Sequence, residues 1–488
     1  MHALPVGGRK SGASVRNRKA GKAGNFFKKC GDFQKEEDRD FPPFQTGRNV
    51  LKYYIIACVG ALGKFRRDEK HSAKSAATPA RMQKERKRFY MEYTFARRIS
   101  KLQPSAIREI LKFTSQPGII SFAAGNPAPD AFPVEEIRRL SAEIFETRPI
   151  DALQYSITEG YPALREHLFR YMQEKYAVGT EGDRLLVTSG ANQVMELVSK
   201  VFCNEGDTVI CESPSFIGSL NAFRSYGVHL CGVPVEADGM NLELLEQALK
   251  TEQNVRFIYT IPNFQNPSGV TMSLEKRKKL YALAKQYGVL ILEDNPYGET
   301  RFAGETIPPI KSLDTEGLVI YAGSLSKVVA AGLRVGYAIA PEAIISKMVV
   351  CKQVNDVHTN IWSQLVSHAY LTQCDFDAHL ADIQKIYKRK AGLMMSLLDR
   401  HLCPHGFSYN PVEGGLFLWV KLPAGLDMPA FCTAAVKAGV AVVPGNAFLM
   451  DESEPCDYIR LNFSTPTDEQ MEKGMAILEQ VALEMLKK

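Results

Sequence analysis

Lys327 stands directly after the turn Gly323-Ser324-Leu325-Ser326 and directly before the apolar run Val328-Val329-Ala330-Ala331. In apolar surroundings the ammonium form of a lysine is disfavoured, and the free amine condenses with an aldehyde to a Schiff base. For a lone lysine, a surface position at a helix start would be the preferred reading. The neighbours change the balance. Ser324 and Ser326 supply two hydroxyls, and Arg334 supplies a planar guanidinium that meets two phosphate oxygens at once. Together they form a phosphate cup beside an amine.

Four further places carry similar loading. Asp294 closes the apolar run that starts at Val289. A carboxylate beside a pyridine-type nitrogen keeps that nitrogen protonated and makes the ring an electron sink. A plain turn aspartate ahead of Pro296 is the blander role. Asn266 and Tyr297 carry groups suited to a phenolic ring oxygen, and Phe216 offers a face for stacking or for ordinary core packing. Ser189-Gly190-Ala191-Asn192 opens the helical stretch 193–202, whose first N–H groups would attract an anion, although the turn could equally be a simple cap.

The elements that must hold these residues repeat from 183 to 340. Short apolar runs, Arg184–Thr188, Thr208–Cys211, Val255–Ile261, Val289–Leu292 and Leu318–Ala322, alternate with amphipathic stretches such as Leu274–Tyr287. Such alternation predicts an α/β fold with a mainly parallel sheet. Each run is followed at once by one of the loaded turns. Ligands of open α/β sheets bind outside the carboxyl ends of the strands, so five such turns describe one pocket.

Asn266-Pro267-Ser268-Gly269, Asp294-Asn295-Pro296-Tyr297, Ser324-Leu325-Ser326-Lys327 and Gly332-Leu333-Arg334-Val335-Gly336-Tyr337 resemble, in order and spacing, the signatures of fold-type I, class I/II aminotransferases. The resemblance spans about Met91 to Lys488. Through Ser105–Lys112, Ile120–Pro133 and Leu153–Arg165 it points to the 2-aminoadipate and kynurenine aminotransferase branch. It implies a large domain with a mainly parallel seven-stranded-type sheet, a smaller α+β domain, and pyridoxal 5'-phosphate as cofactor. It makes Lys327 the Schiff-base lysine, Asp294 the pyridine partner, and Asn266 and Tyr297 the ligands of the phenolic oxygen. Ser324, Ser326, Arg334, Ala191 and Asn192 become phosphate ligands, although Ala191 lacks the side-chain donor many relatives have there. Phe216 replaces a tyrosine common in relatives, keeping the stacking face and losing a hydroxyl. Tyr155 matches a residue donated across a homodimer interface. Arg460, in the strand-like Tyr458–Phe463, matches the arginine that grips the substrate carboxylate, with Gly125 and Asn266 beside it. Arg108 matches a position where some relatives meet an acidic side chain. The implied reaction moves an amino group between an L-amino acid and a 2-oxo acid, with glutamate/2-oxoglutarate as one pair and a broad second substrate. A carbon–sulfur β-lyase on the same scaffold and a PLP-binding transcriptional regulator are the alternatives.

Composition fits two domains: 488 residues, 45% apolar and 23% charged. The net charge of +6 is unevenly spread. Residues 1–90 hold 22 Lys/Arg against 8 Asp/Glu, which leaves 38 against 46 of the 60 and 54 totals for the remainder. This basic, Gly/Ser-rich leader lacks periodicity and is expected to be disordered. The purine-codon-compatible run Lys84–Arg88 before Met91 also raises the expectation that translation starts at Met91 or Met82. No helix–turn–helix periodicity is visible in it, so nucleic acid is not an expected partner. The expected divisions are 1–90 as leader, 91–130 as N-terminal arm and part of the small domain, 131–350 as large domain and 351–488 as small domain. Ten scattered cysteines without a C-x-x-C pair indicate reduced thiols and no metal site, hence a cytoplasmic protein. No apolar run reaches the length of a membrane-spanning helix.

Overall fold

The computed structural model describes residues 93–100, 102 and 118–487; the leader 1–90 and Arg108 lie outside the described residues. An eight-stranded sheet forms the centre. In chain order the strands are β1 (Ile120–Ser121), β2 (Asp183–Thr188), β3 (Thr208–Ser213), β4 (His229–Glu236), β5 (Gly239–Met240), β6 (Val255–Thr260) and β7 (Leu290–Asp294). They continue with β8 (Val319–Ser324), β9 (Gly336–Pro341), β10 (Ser408–Tyr409), β11 (Phe417–Lys421), β12 (Val440–Ala441), β13 (Val443–Pro444) and β14 (Tyr458–Asn462). The large sheet has the order β2-β9-β8-β7-β6-β3-β4-β5. Strands β3, β4, β6, β7 and β8 are mutually parallel, and β9 runs against both its neighbours β2 and β8. Two successive reversals leave β2 pointing the same way as the parallel set. The eighth strand is the two-residue β5, which folds back on β4 across Ala237-Asp238; it extends the seven-stranded-type sheet expected from sequence.

Both sheet faces are covered, and the two-residue period of the strands shows how. Leu185 and Val187 join one apolar layer with Tyr337 and Ile339, while Leu186, Ala338 and Ala340 join the other. The first layer is closed by the helices Val134–Thr147, Pro162–Tyr176 and Ile361–Gln373 through Leu140, Ile144, Leu164, Leu168 and Leu365. Each such fully buried side chain contributes about 1.5–3 kcal/mol over its exposed state. The expected boundary at 350 falls inside the helix Glu342–Gln353, and Ile361–Gln373 still packs on the large-sheet layer. The helix Leu274–Tyr287 has the span its periodicity predicts. Ser273 caps its start by accepting from Lys276 N, and Gly288, at φ 66°, ends it in a left-handed turn.

A second, antiparallel sheet, β10-β11-β14-β13, lies with the helices Phe376–His401 and Asp468–Leu486 in the C-terminal part. The segment after residue 118 belongs with it: β1 pairs with β12, and Phe122 O accepts from Asn462 N. Among the described residues no helix is long and apolar enough to cross a membrane.

Candidate active site

Because β2, β3, β6, β7 and β8 share one direction, the turns that leave them emerge on one edge. That edge carries Gly190–Asn192, Phe216, Asn266, Asp294, Tyr297 and the turn from Ser324 to Lys327. Lys327 sits in a short wide-turn segment, Ser326–Ala330, and its amine donates to Gly125 O at 2.7 Å. Burial first, then the guanidinium groups of Arg460 and Arg334, lowers its pKa to about 8. The amine therefore lies within the influence of two cations, and among the described residues no carboxylate pairs with it. That setting releases a proton readily.

Asp294, at the end of β7, is buried. Its Oδ2 accepts from the Tyr259 hydroxyl at 2.8 Å, and that hydroxyl is also 2.8 Å from Ser219 Oγ. Its Oδ1 has no partner among the described residues. Burial raises the carboxyl to about 7, against the opposing Tyr259 hydrogen bond. A buried oxygen without a donor is uncommon in a folded protein and fits a missing cationic N–H. The protonated nitrogen of a pyridine ring meets that need.

The phosphate-type cup is a close approach of backbone and arginine. Gly190 has φ 84°, and a Cβ there would lie 2.2 Å from Arg334 Nη2. Gly336 faces the same turn, where a Cβ would come within 2.6 Å of Ala191 N. The helix Ala191–Phe202 begins without a side-chain cap, so its first N–H groups remain available for an anion. Arg334, itself at φ 54°, reaches Ser189 O at 3.3 Å and Ser326 Oγ at 3.5 Å, and Ser326 N donates to Ser324 Oγ at 3.1 Å. Arg334, Ser324, Ser326 and the first N–H groups of the helix are thus neighbours at this one turn. Asn192 and Phe216 lie beside it, both close to Gly218.

Arg460, in β14, is buried. Nη1 donates to Asn266 Oδ1 at 2.9 Å and Nη2 to Ala123 O at 2.8 Å, while Nε has no partner. Its guanidinium carbon lies 4.2 Å from the Phe417 ring centroid and 5.0 Å from that of Phe448. Burial brings it down to about 10, with Tyr297 opposing. Among the described residues no carboxylate pairs with it, so a ligand carboxylate would complete it. Tyr297 packs edge-on to Phe417 at 6.1 Å, and burial pushes its hydroxyl up.

The site residues within the described segments come together with one exception. Tyr155 is 81% exposed, with its ring edge-on to His358 at 5.9 Å. Sequence reasoning missed a supporting layer. Tyr259 was hidden in an apolar run, where only a hydroxyl among buried residues could have marked it. Buried Lys352 donates to both Asp356 oxygens and Gln193 Oε1 at 2.8 Å, and Ser189 Oγ donates to Asp356 at 2.8 Å, bracing the Ser189-Gly190 turn. Buried Arg277 ties Asn263 Oδ1 to the carbonyls of Pro262, Ile307 and Pro308. Glu212 accepts from Thr260 Oγ1 at 2.6 Å and Ile261 N at 3.0 Å, and burial still lifts it to about 7.

An amine poised for an aldehyde, an anion cup and a buried carboxylate on one edge of an α/β sheet define an enzyme that holds a phosphorylated pyridine aldehyde. The chain belongs to the class I and II aminotransferases, whose family model matches residues 117–478. It is similar to the aromatic-amino-acid aminotransferase 1 of Thermococcus litoralis, 39% identical over 82% of this chain and 96% of that one. It is also similar to the 2-aminoadipate transaminase of Thermus thermophilus, 38% identical over 78% of this chain and 94% of the relative. A crystal structure of Pyrococcus horikoshii kynurenine aminotransferase, in complex with PMP, superposes with a TM-score of 0.77. The two are 37% identical, over 81% of this chain and 98% of that one. The protein is therefore a pyridoxal-phosphate-dependent aminotransferase of fold type I, and the donor set above fits that cofactor.

Proposed function

We propose that the enzyme uses Lys327 as its Schiff-base lysine and proton carrier, and that it takes glutamate/2-oxoglutarate as one substrate pair with a broad second partner. The observation that carries the assignment is the unpartnered buried oxygen of Asp294 on the same sheet edge as the lone amine of Lys327. Pyridoxal phosphate, when bound, supplies the electron sink for the substrate's Cα–H electrons. The chain's residues do the rest. Ser324, Ser326, Arg334 and the N–H groups of Ala191 and Asn192 hold the phosphate. Asp294 would keep a proton on the ring nitrogen, Asn266 and Tyr297 would hold the phenolic oxygen, and Phe216 would offer a stacking face. Arg460, braced by Asn266, grips the substrate carboxylate beside Gly125 and fixes the direction of the Cα–H bond. Lys327 Nζ takes the Cα proton, and an amine with a pKa of about 8 is matched to that work near neutral pH.

The breadth of substrate is supported by relatives named for aromatic amino acids, 2-aminoadipate and kynurenine. Arg108 is the proposed partner of an acidic substrate side chain. A homodimer with shared sites is supported by the exposed apolar group Ile150, Leu153, Tyr155 and Ile157, with Tyr155 completing the neighbour's cup. Eight free thiols among the described cysteines support a reducing, cytoplasmic setting.

The test is borohydride reduction of the protein with pyridoxal phosphate, followed by peptide mapping, together with oxo-acid analysis over an amino-acid panel. Modification at Lys327 and 2-oxoglutarate formed from glutamate are expected. Label elsewhere, or pyruvate and ammonia from cysteine conjugates without amino transfer, would refute the reading.

A further inference from the structure

We propose that Gln265, backed by Glu212, is a positioning residue that sets the spacing between the ring-stacking face at Phe216 and the Asn266–Arg460 unit. The proposal rests on the cofactor reading above. Every polar atom of the Gln265 side chain is engaged. Nε2 donates to Pro214 O at 2.7 Å and to Glu212 Oε2 at 3.3 Å, while Oε1 accepts from Ser268 N at 2.9 Å and Ser268 Oγ at 2.7 Å. One buried amide thus joins the turn after β3 to the turn after β6. Phe216 stands two residues beyond Pro214, and Asn266 is the residue next to Gln265.

The second anchor is Glu212. It is the penultimate residue of β3, yet its carboxylate accepts from Thr260 Oγ1 and Ile261 N at the end of β6. A carboxyl group buried this deeply among Thr260, Ile261 N and Gln265 holds the two strand ends at one fixed separation, because losing a partner would leave a buried polar oxygen under-satisfied. Asn266 in turn accepts from Arg460. The chain of contacts therefore runs from the ring face, through Gln265, to the substrate-carboxylate grip. None of the clamp atoms need touch cofactor or substrate.

Gln265→Met removes all four hydrogen bonds with little change of volume. The expected result is about a tenfold weaker pyridoxal phosphate affinity, the equivalent of one to two buried hydrogen bonds. A shifted midpoint in the pH titration of the visible band and a KM for amino acid raised more than kcat is lowered are expected too. A general loosening would lower occupancy but would leave the spectral midpoint of the loaded fraction where it was. Ser268→Ala removes one of the four bonds and should move the same readouts a smaller distance in the same direction; it decides the matter if Gln265→Met does not fold. Variants that load with unchanged midpoint and affinity would overturn the clamp. If the wild-type protein itself forms no visible band with pyridoxal phosphate, the cofactor reading fails instead.

Discussion

At the scale of single residues the site is held in an unfavourable electrostatic state. Lys327 is lowered to about 8 and Asp294 raised to about 7, each chiefly by burial. For Asp294 the folded protein binds more protons than the unfolded chain between about pH 4 and 7, so its contribution to stability falls as pH rises through that window. Asp294→Asn should therefore stabilise the cofactor-free protein by about 1–3 kcal/mol near pH 8 and by little near pH 4, read by denaturant melts. The same substitution should lower kcat at least a hundredfold, since an amide does not hold the ring nitrogen protonated. Lys327 has the opposite sign. Below about pH 8 its buried charge weakens the fold, and the penalty is relieved as pH rises towards about 10.5. Lys327→Met is expected to abolish transamination while raising the thermal midpoint at pH 7, with the gain shrinking in alkaline buffer.

At the scale of elements, two glycines separate cup chemistry from fold chemistry. A Cβ at Gly190 meets the far end of Arg334, which can swing aside, whereas one at Gly336 meets the Ala191 and Gly190 backbone at 2.6 Å. Gly190→Ala should weaken phosphate and cofactor binding at least tenfold by displacing Arg334. The left-handed backbone at that position adds roughly 1 kcal/mol of strain. Gly336→Ala should cost more stability, about 2–3 kcal/mol, because backbone must move. Isothermal titration and urea melts distinguish the two. The motifs on the strand ends were legible in sequence because polar residues after short apolar runs stand out. Tyr259 and Lys352 were not, because a polar residue within or beside an apolar run looks the same whether its partner is near or far in the chain.

For the molecule as a whole, the question is how Tyr155 finds a use. It stands 81% exposed among Ile150, Leu153 and Ile157, with its ring edge-on to His358. If a second copy covers this face, Leu153→Glu should shift sedimentation from dimer to monomer and lower kcat/KM at least tenfold at micromolar concentration. A wild-type protein that sediments as a monomer with full activity would contradict the shared-site reading.

The sequence by itself determined the α/β class, the edge on which the chemistry sits, and the residue types that converge there, because strand period and turn composition are local properties. Only the tertiary structure decided that β9 runs antiparallel and so brings β2 into the common direction. It also decided that Asp294 keeps one oxygen without a partner among the described residues, and that the N-terminal segment, expected to join the small domain, does so by pairing β1 with β12. These depend on which distant segments meet, and burial, hydrogen-bond saturation and pKa are properties of that meeting rather than of the chain order.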